Sequence, residues 1–140
     1  MVSFPGDKPN FMRVEIFTLC DKAHSENGKT NIIGVFDTLY ATQTPTKHPA
    51  LAIVAKIRFD PAEQGVHKVT IVVLDSEGKT MGKFLGADIP VGVAPNHLWA
   101  PSFVINLNGF VMPKFGEYRF ELEIGGNSVA KIPLLLEKRP

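Results

Sequence analysis

The sequence has few of the residues that indicate secretion or membrane insertion. It contains one cysteine, Cys20, so no internal disulfide can form, and no Asn-x-Ser/Thr glycosylation acceptor occurs. No window approaches the roughly 20 consecutive apolar residues of a membrane span, and the first residues carry no apolar signal core. We therefore expect a cytoplasmic protein.

Common catalytic motifs are also absent. The sequence contains no Gly-x-x-x-x-Gly-Lys-Ser/Thr phosphate loop, no Gly-x-Gly-x-x-Gly, no His-Glu-x-x-His and no Gly-x-Ser-x-Gly. The formal charge is +1 with scattered Lys and Arg, so the clustered basic surface that neutralises phosphates is missing. These absences favour a protein that is not an enzyme, needs no cofactor, and binds neither nucleic acid nor a membrane.

What is present is the composition of an ordinary globular domain. Hydrophobic residues make up 44% of the 140 residues and charged residues 21%, which suffices for a sizeable core. We expect residues 1–11 to form an N-terminal tail or edge segment. Residues 12–140 are predicted to form one domain.

The hydrophobic pattern is that of β-strands. Short runs of Val, Ile, Phe and Tyr are separated by Gly, Pro, Asn and Asp, and no 3.6-residue period is sustained. In Glu117–Ile124 apolar and charged residues alternate strictly, and Gly125-Gly126 then favours a tight turn. Asn27-Gly28 favours a turn in a connection longer than two residues. We predict eight strands, over residues 12–20, 30–41, 51–59, 66–75, 80–89, 99–110, 117–124 and 128–137.

This pattern predicts an all-β protein, an immunoglobulin-like two-sheet antiparallel sandwich of about 7 to 9 strands. The inward faces of residues 51–59, 69–73, 103–107 and 118–124 are expected to form the core. A jelly roll or another Greek-key arrangement has the same sequence rhythm.

Two resemblances support this fold. The segment Pro113–Phe120 resembles the Gly-x-Tyr-x-apolar start of the penultimate strand in immunoglobulin-like sandwiches, which implies that the Tyr118 hydroxyl ties the inter-sheet connection to the strand. Phe120 stands where antibody domains have a cysteine, so a cysteine-free relative is implied. More widely, the chain resembles a family of small uncharacterised bacterial proteins, through Cys20-Asp21, Gly28–Asp37, Pro45–Pro49 and Gly116–Tyr118. That resemblance implies the fold and no activity.

Cys20, Asp21 and His24 are the polar residues that come nearest to a reactive cluster. They could contribute to a metal-dependent or thiol-dependent site, but a zinc site needs further ligands, which His48, His67 or His97 would have to supply. The alternative is a buried thiol at a strand end that runs into a polar turn. Two carboxylate pairs, in residues 60–63 and 75–77, are too few for calcium and are better explained as solvated turns.

The stretch Pro90–Pro101 combines apolar residues with three prolines, so it is expected to be a crossover loop or a bulged edge. Its apolar residues form either a possible interface or part of the core; these are Val91, Val93, Leu98 and Trp99. A ligand pocket between the sheets near Trp99 is a third possibility.

The leading functional hypothesis is a non-catalytic module that binds a protein partner or forms a homo-oligomer. It competes with the alternative of a metal- or thiol-dependent site around Cys20, Asp21 and His24. A binding module needs only a complete β core and an accessible surface or sheet edge.

Overall fold

The computed structural model describes residues 12–93 and 99–140. The tail predicted for residues 1–11 lies outside this range, as do His97 and Leu98. Within it the chain forms nine strands and one 3-10 turn at Pro61–Glu63. The strands are β1 (Arg13–Glu26), β2 (Lys29–Val35), β3 (Thr38–Ala41), β4 (Thr46–Arg58), β5 (Gly65–Leu74), β6 (Thr80–Val91), β7 (Ser102–Met112), β8 (Gly116–Ile124) and β9 (Asn127–Lys138).

The strands form two sheets packed face to face. One sheet has four strands in the order β2-β1-β4-β7, and the other has five in the order β3-β9-β8-β5-β6. Neighbouring strands are antiparallel except β3 and β9, which are parallel. Both sheets bury one apolar face in a common core, in which Ile53, Ile71 and Phe120 are fully buried. The predicted inward faces are therefore confirmed.

The tyrosine implied by the immunoglobulin resemblance makes the expected contact. The Tyr118 hydroxyl donates to the Lys114 carbonyl at 2.6 Å and accepts from the Lys114 N–H at 3.1 Å. These bonds tie the β7–β8 connection, which crosses between the sheets, to the start of β8. The fold is the immunoglobulin-like two-sheet sandwich that the sequence predicts.

The region around Asn27 differs from the prediction. β1 continues past Cys20 to Glu26, and Asn27 and Gly28, both with positive φ, close a two-residue hairpin to β2. The predicted longer connection is therefore wrong. The predicted strand over residues 30–41 is divided, because the chain leaves the four-stranded sheet at Phe36 and enters the other sheet as β3, where Leu135 donates to the Asp37 carbonyl.

The β1–β2 hairpin bends over the outer face of its own sheet. Pairing between the two strands is interrupted at Asp21 and Gly34. β1 contacts β7 although β4 lies between them in the sheet, and Ser25 and Thr30 of the hairpin line the same cavity as Ser102 and Phe103. Ala23 and Ile32 of the hairpin pack on a small outer cluster, which comprises Cys20, Ala52 and Val54. This outer face is therefore covered without help from the second sheet.

Candidate functional site

Cys20 lies in the outer cluster under the bent hairpin. The residue is fully buried, and its Sγ lies 3.4 Å from the Lys22 carbonyl and 3.8 Å from the Ala52 carbonyl. Burial raises the pKa of the Cys20 thiol, which favours the protonated and poorly nucleophilic form. The position is that of a structural thiol rather than of an activated one.

Asp21 and His24 do not join Cys20 in a site. Both are exposed; the Asp21 carboxylate packs against Gly34, while His24 Nε2 lies 3.4 Å from Asn31 Nδ2 and 3.8 Å from Glu26 Oε2. His48 and His67 lie beside Phe36 and Phe59 respectively. Among residues 12–93 and 99–140, no three His, Cys, Asp or Glu side chains gather as metal ligands.

The carboxylates of the two acidic turns bind their own backbone. Asp75 Oδ1 accepts from the N–H groups of Glu77 and Lys79 at 2.9 Å each, and Glu63 Oε1 accepts from the Asp60 N–H at 3.0 Å. Such local bonds stabilise turns. These residues have a structural role in the loops.

The stretch predicted as a possible interface is divided between core and surface. Val91 is fully buried, so the suggestion that it contacts a partner is corrected. Trp99 is half-buried and lies on Gly92, where any Cβ would collide with the indole ring. Val93 is half-buried, and Leu98 lies outside the described residues. Trp99 therefore packs against the core, and its burial is that of a structural residue.

The open strand edges of the sandwich differ in how they are protected. Natural edge strands avoid unwanted pairing by charge, proline, irregularity or shortness. β6 contains Lys83, Asp88 and Pro90, and β2 has Lys29 and the left-handed Gly34. β3 has four residues. β1 and β9, which their neighbours β2 and β3 cover over only part of their length, carry charges. Within the described part of the chain, β7 is the one edge strand longer than four residues with no charged residue and no proline, and its left-handed Gly109 lies near its C-terminal end.

The hydrogen-bond pattern shows which groups of β7 are available. The N–H groups of Ile57 and Phe59 donate to the carbonyls of Pro101 and Trp99, at 3.1 and 2.7 Å, continuing the β4–β7 ladder. Because bonding alternates along an antiparallel pair, odd-numbered residues of β7 before Gly109 bond to β4 and even-numbered ones point away. The outward N–H and C=O groups, hereafter the β7 edge, belong to Ser102, Val104, Asn106 and Asn108.

An apolar groove adjoins the β7 edge. β6 and β7 lie at the same open side of the sandwich, and between them is a groove of about 320 Å³. Met81 and Phe84 line it from β6, and Leu107 and Phe110 from β7, where the Phe84 and Phe110 rings meet edge to face. Val111 beside it is about half exposed. An extended strand added to β7 would have this groove available for its alternate side chains.

Sequence reasoning missed this site although a signal was present. The eleven residues of β7 contain no charge and no proline, a composition expected of a central strand. The sequence does not show that β7 is an edge strand, because strand order depends on contacts between distant segments. The site becomes visible only from the sheet topology.

The chain aligns with solved structures at low sequence identity. The chain aligns with the Pseudomonas fluorescens alkylpurine DNA glycosylase AlkC bound to DNA containing an abasic site analog (TM-score 0.51, 6% identity, 90% of this chain and 30% of that one). It also aligns with a beta-glucosidase from Listeria innocua in complex with isofagomine (TM-score 0.52, 7% identity, 91% of this chain and 16% of that one). An immunoglobulin-like protein from Pseudomonas aeruginosa gives a TM-score of 0.46 at 16% identity, over 90% of this chain and 96% of that one.

The chain spans less than a third of the glycosylase and of the glucosidase, so at these identities the likeness concerns the fold alone. No curated protein matches the sequence. In the described residues, no helix is long and apolar enough to cross a membrane. A family of unknown function (DUF6941) matches residues 15–137. Since this match covers most of the sequence, the chain belongs to that family.

Proposed function

We propose that the chain is a non-catalytic protein-binding or self-associating module, and that it binds by adding a strand to the β7 edge. The observation that carries this proposal is an edge strand of eleven residues without charge or proline, which has no neighbour on its outer side among residues 12–93 and 99–140. An edge of this kind is a template for another strand, and proteins usually protect it. An uncharged strand edge beside an apolar groove is expected of a binding surface.

The partner chemistry follows from the two parts of the site. The outward N–H and C=O groups of the β7 edge would supply main-chain hydrogen bonds, which give affinity without regard to sequence. The groove between Met81, Phe84 and Phe110 would receive every second side chain of the added strand, which gives specificity. The ligand is therefore an extended polypeptide with apolar residues at alternate positions.

Two further observations support a non-catalytic role. The one thiol is buried and protonated, and the carboxylates of the acidic turns cap backbone N–H groups. A reactive centre needs a nucleophile or metal ligand that substrate can reach. The free thiol also supports a cytoplasmic location, where thiols remain reduced.

The proposal can be tested by selecting binders from a random peptide library displayed on phage. The immobilised wild-type protein is expected to enrich peptides in which apolar and polar residues alternate. Asn106→Pro removes one outward N–H, and its ring obstructs an added strand, while the ladder to β4 is kept. Peptides that bind Asn106→Pro as well as the wild type would contradict strand addition at β7. Circular dichroism and the thermal midpoint check that this variant is folded.

A further inference from the structure

Resting on that proposed function, we infer that the strand added to β7 is β7 of a second copy of this chain. The two strands pair antiparallel about a two-fold axis at Ile105. The four-stranded sheets of the two copies then form one continuous sheet of eight strands.

The outward groups of β7 are self-complementary in one register. A two-fold axis at Ile105 places Ser102 opposite Asn108 of the second copy, and Val104 opposite Asn106 of the second copy. Every outward N–H and C=O of these four residues then has a partner. Moving the axis to Val104 or Asn106 leaves the backbone groups of Asn108 or Ser102 unpaired. Hydrogen-bond satisfaction therefore selects the Ile105 register.

The charges around β7 favour a second copy rather than an ionic partner. Like charges directly opposite each other destabilise a strand pair, and β7 has none to bring together. Equivalent self-pairing of β6 would bring two copies of Lys83 and Asp88 into the contact. The β7 edge ends before Gly109, which has positive φ and which the Lys47 side chain crosses. β7 continues to pair with β4 as far as Met112, but its buried residues change from odd-numbered Leu107 to even-numbered Phe110 and Met112. The uncharged segment thus coincides with the segment that can pair with its own copy.

The apolar groove adds contact area beyond the strand pair. A two-fold axis perpendicular to the joined sheet puts both five-stranded sheets on the same side of it. Met81 and Phe84 of each copy then face the gap between the two five-stranded sheets. Closing this gap removes apolar surface from water, which backbone pairing alone does not do.

The test is sedimentation velocity of the full chain over about a hundredfold range of concentration, because self-association depends on mass action. The wild type is expected to form a species of twice the 15.4 kDa monomer mass. Asn106→Lys is expected to weaken the dimer by up to about 5-fold, since it places two lysines at diagonal positions near the axis. The matched control Asn31→Lys makes the same substitution on the exposed face of β2 and is expected to leave the dimer unchanged.

A charge exchange keeps the test independent of any folding defect. Asn106→Lys and Asn106→Asp are each expected to dimerise more weakly than the wild type, and their equimolar mixture is expected to favour the heterodimer through the opposed charges. A wild type that stays monomeric at all concentrations would overturn pairing with a second copy, while leaving strand addition by another polypeptide intact. A dimer that persists unchanged in both Asn106 variants would also overturn pairing through β7 of a second copy, and the phage selection described above would still decide strand addition by another polypeptide.

Discussion

The two faces of the four-stranded sheet are equally buried at their centre but are covered in different ways. On β4, Ile53 faces the core and Val54 faces outward, and both are fully buried. Ile53 is covered by the strands of the second sheet, whereas Val54 is covered by the bent β1–β2 hairpin of its own sheet. Equal burial therefore does not imply equal support. The inner face depends on the whole fold, and the outer face depends on one local hairpin.

The comparison predicts different costs for two neighbouring truncations. Ile53→Ala is expected to destabilise the protein by about 2–5 kcal/mol, because the tightly packed inter-sheet core cannot close the cavity. Val54→Ala is expected to cost about 1–2 kcal/mol, because fewer atoms are lost and the hairpin can settle onto the gap. Urea unfolding of both variants measures the two values. A cost for Val54→Ala equal to that of Ile53→Ala would show that the outer cluster is as rigid as the core.

The second prediction concerns the bend of the hairpin. Gly34 has φ +72°, and an added Cβ would collide with the Asp21 carboxylate, whereas Gly28 has φ +73° and open space. Gly34→Ala is expected to cost about 1–3 kcal/mol and to loosen the hairpin, and Gly28→Ala to cost about 1 kcal/mol from φ alone.

The reactivity of the Cys20 thiol shows whether the hairpin has loosened, since Cys20 lies under the bend. Its reaction rate with a small disulfide reagent is expected to rise more in Gly34→Ala than in Gly28→Ala, through local opening of the hairpin. Equal reactivity of the Cys20 thiol in both variants would show that the bend at Gly34 does not control how the outer face is covered.

The smallest expected effect lies at the rim of the outer face. Glu15 of β1 contacts Arg58 at 2.6 Å and Lys56 at 3.2 Å, and the hydrogen bond from Arg58 lowers the pKa of Glu15 below its ordinary value of 4.5. A lowered folded-state pKa means that the contribution to stability is full above the ordinary pKa and is lost as pH falls through the folded pKa.

Because these side chains are about one-third exposed, Glu15→Gln is expected to lose less than about 1 kcal/mol at pH 7. The difference from the wild type should vanish in acid. Thermal unfolding between neutral pH and about pH 3 follows this difference. A gap between the two proteins that persists in acid would mean that Glu15 acts through packing and not through its charge.

The sequence predicted those parts of the fold that depend on local chemistry. Alternation placed Tyr118, Phe120 and Leu122 on an inward face, and Gly125-Gly126 predicted the turn that follows. The role of Tyr118 was implied by resemblance and is confirmed by its bonds to Lys114. Each of these features is fixed by residues close together in the chain.

The features that sequence reasoning missed depend on distant segments. The continuous apolar run over Leu51–Ala55 is compatible with one dry face or two, and the second dry face exists because the hairpin folds back. Strand division at Phe36 and the edge position of β7 likewise depend on which strands become neighbours. Periodicity indicates which residues share a face and leaves open what covers that face.

The parallel pairing of β3 with β9 has a consequence for the order of events during synthesis. Thr38 pairs with Leu135, about 100 residues further along, and contacts of such long sequence separation form late. Nearly the whole domain must therefore be synthesised before β3 can pair with β9. Until then this short segment, exposed Tyr40 included, emerges as a single unpaired strand. Because β3 has only four residues, it is a poor template for pairing with another nascent chain during this interval.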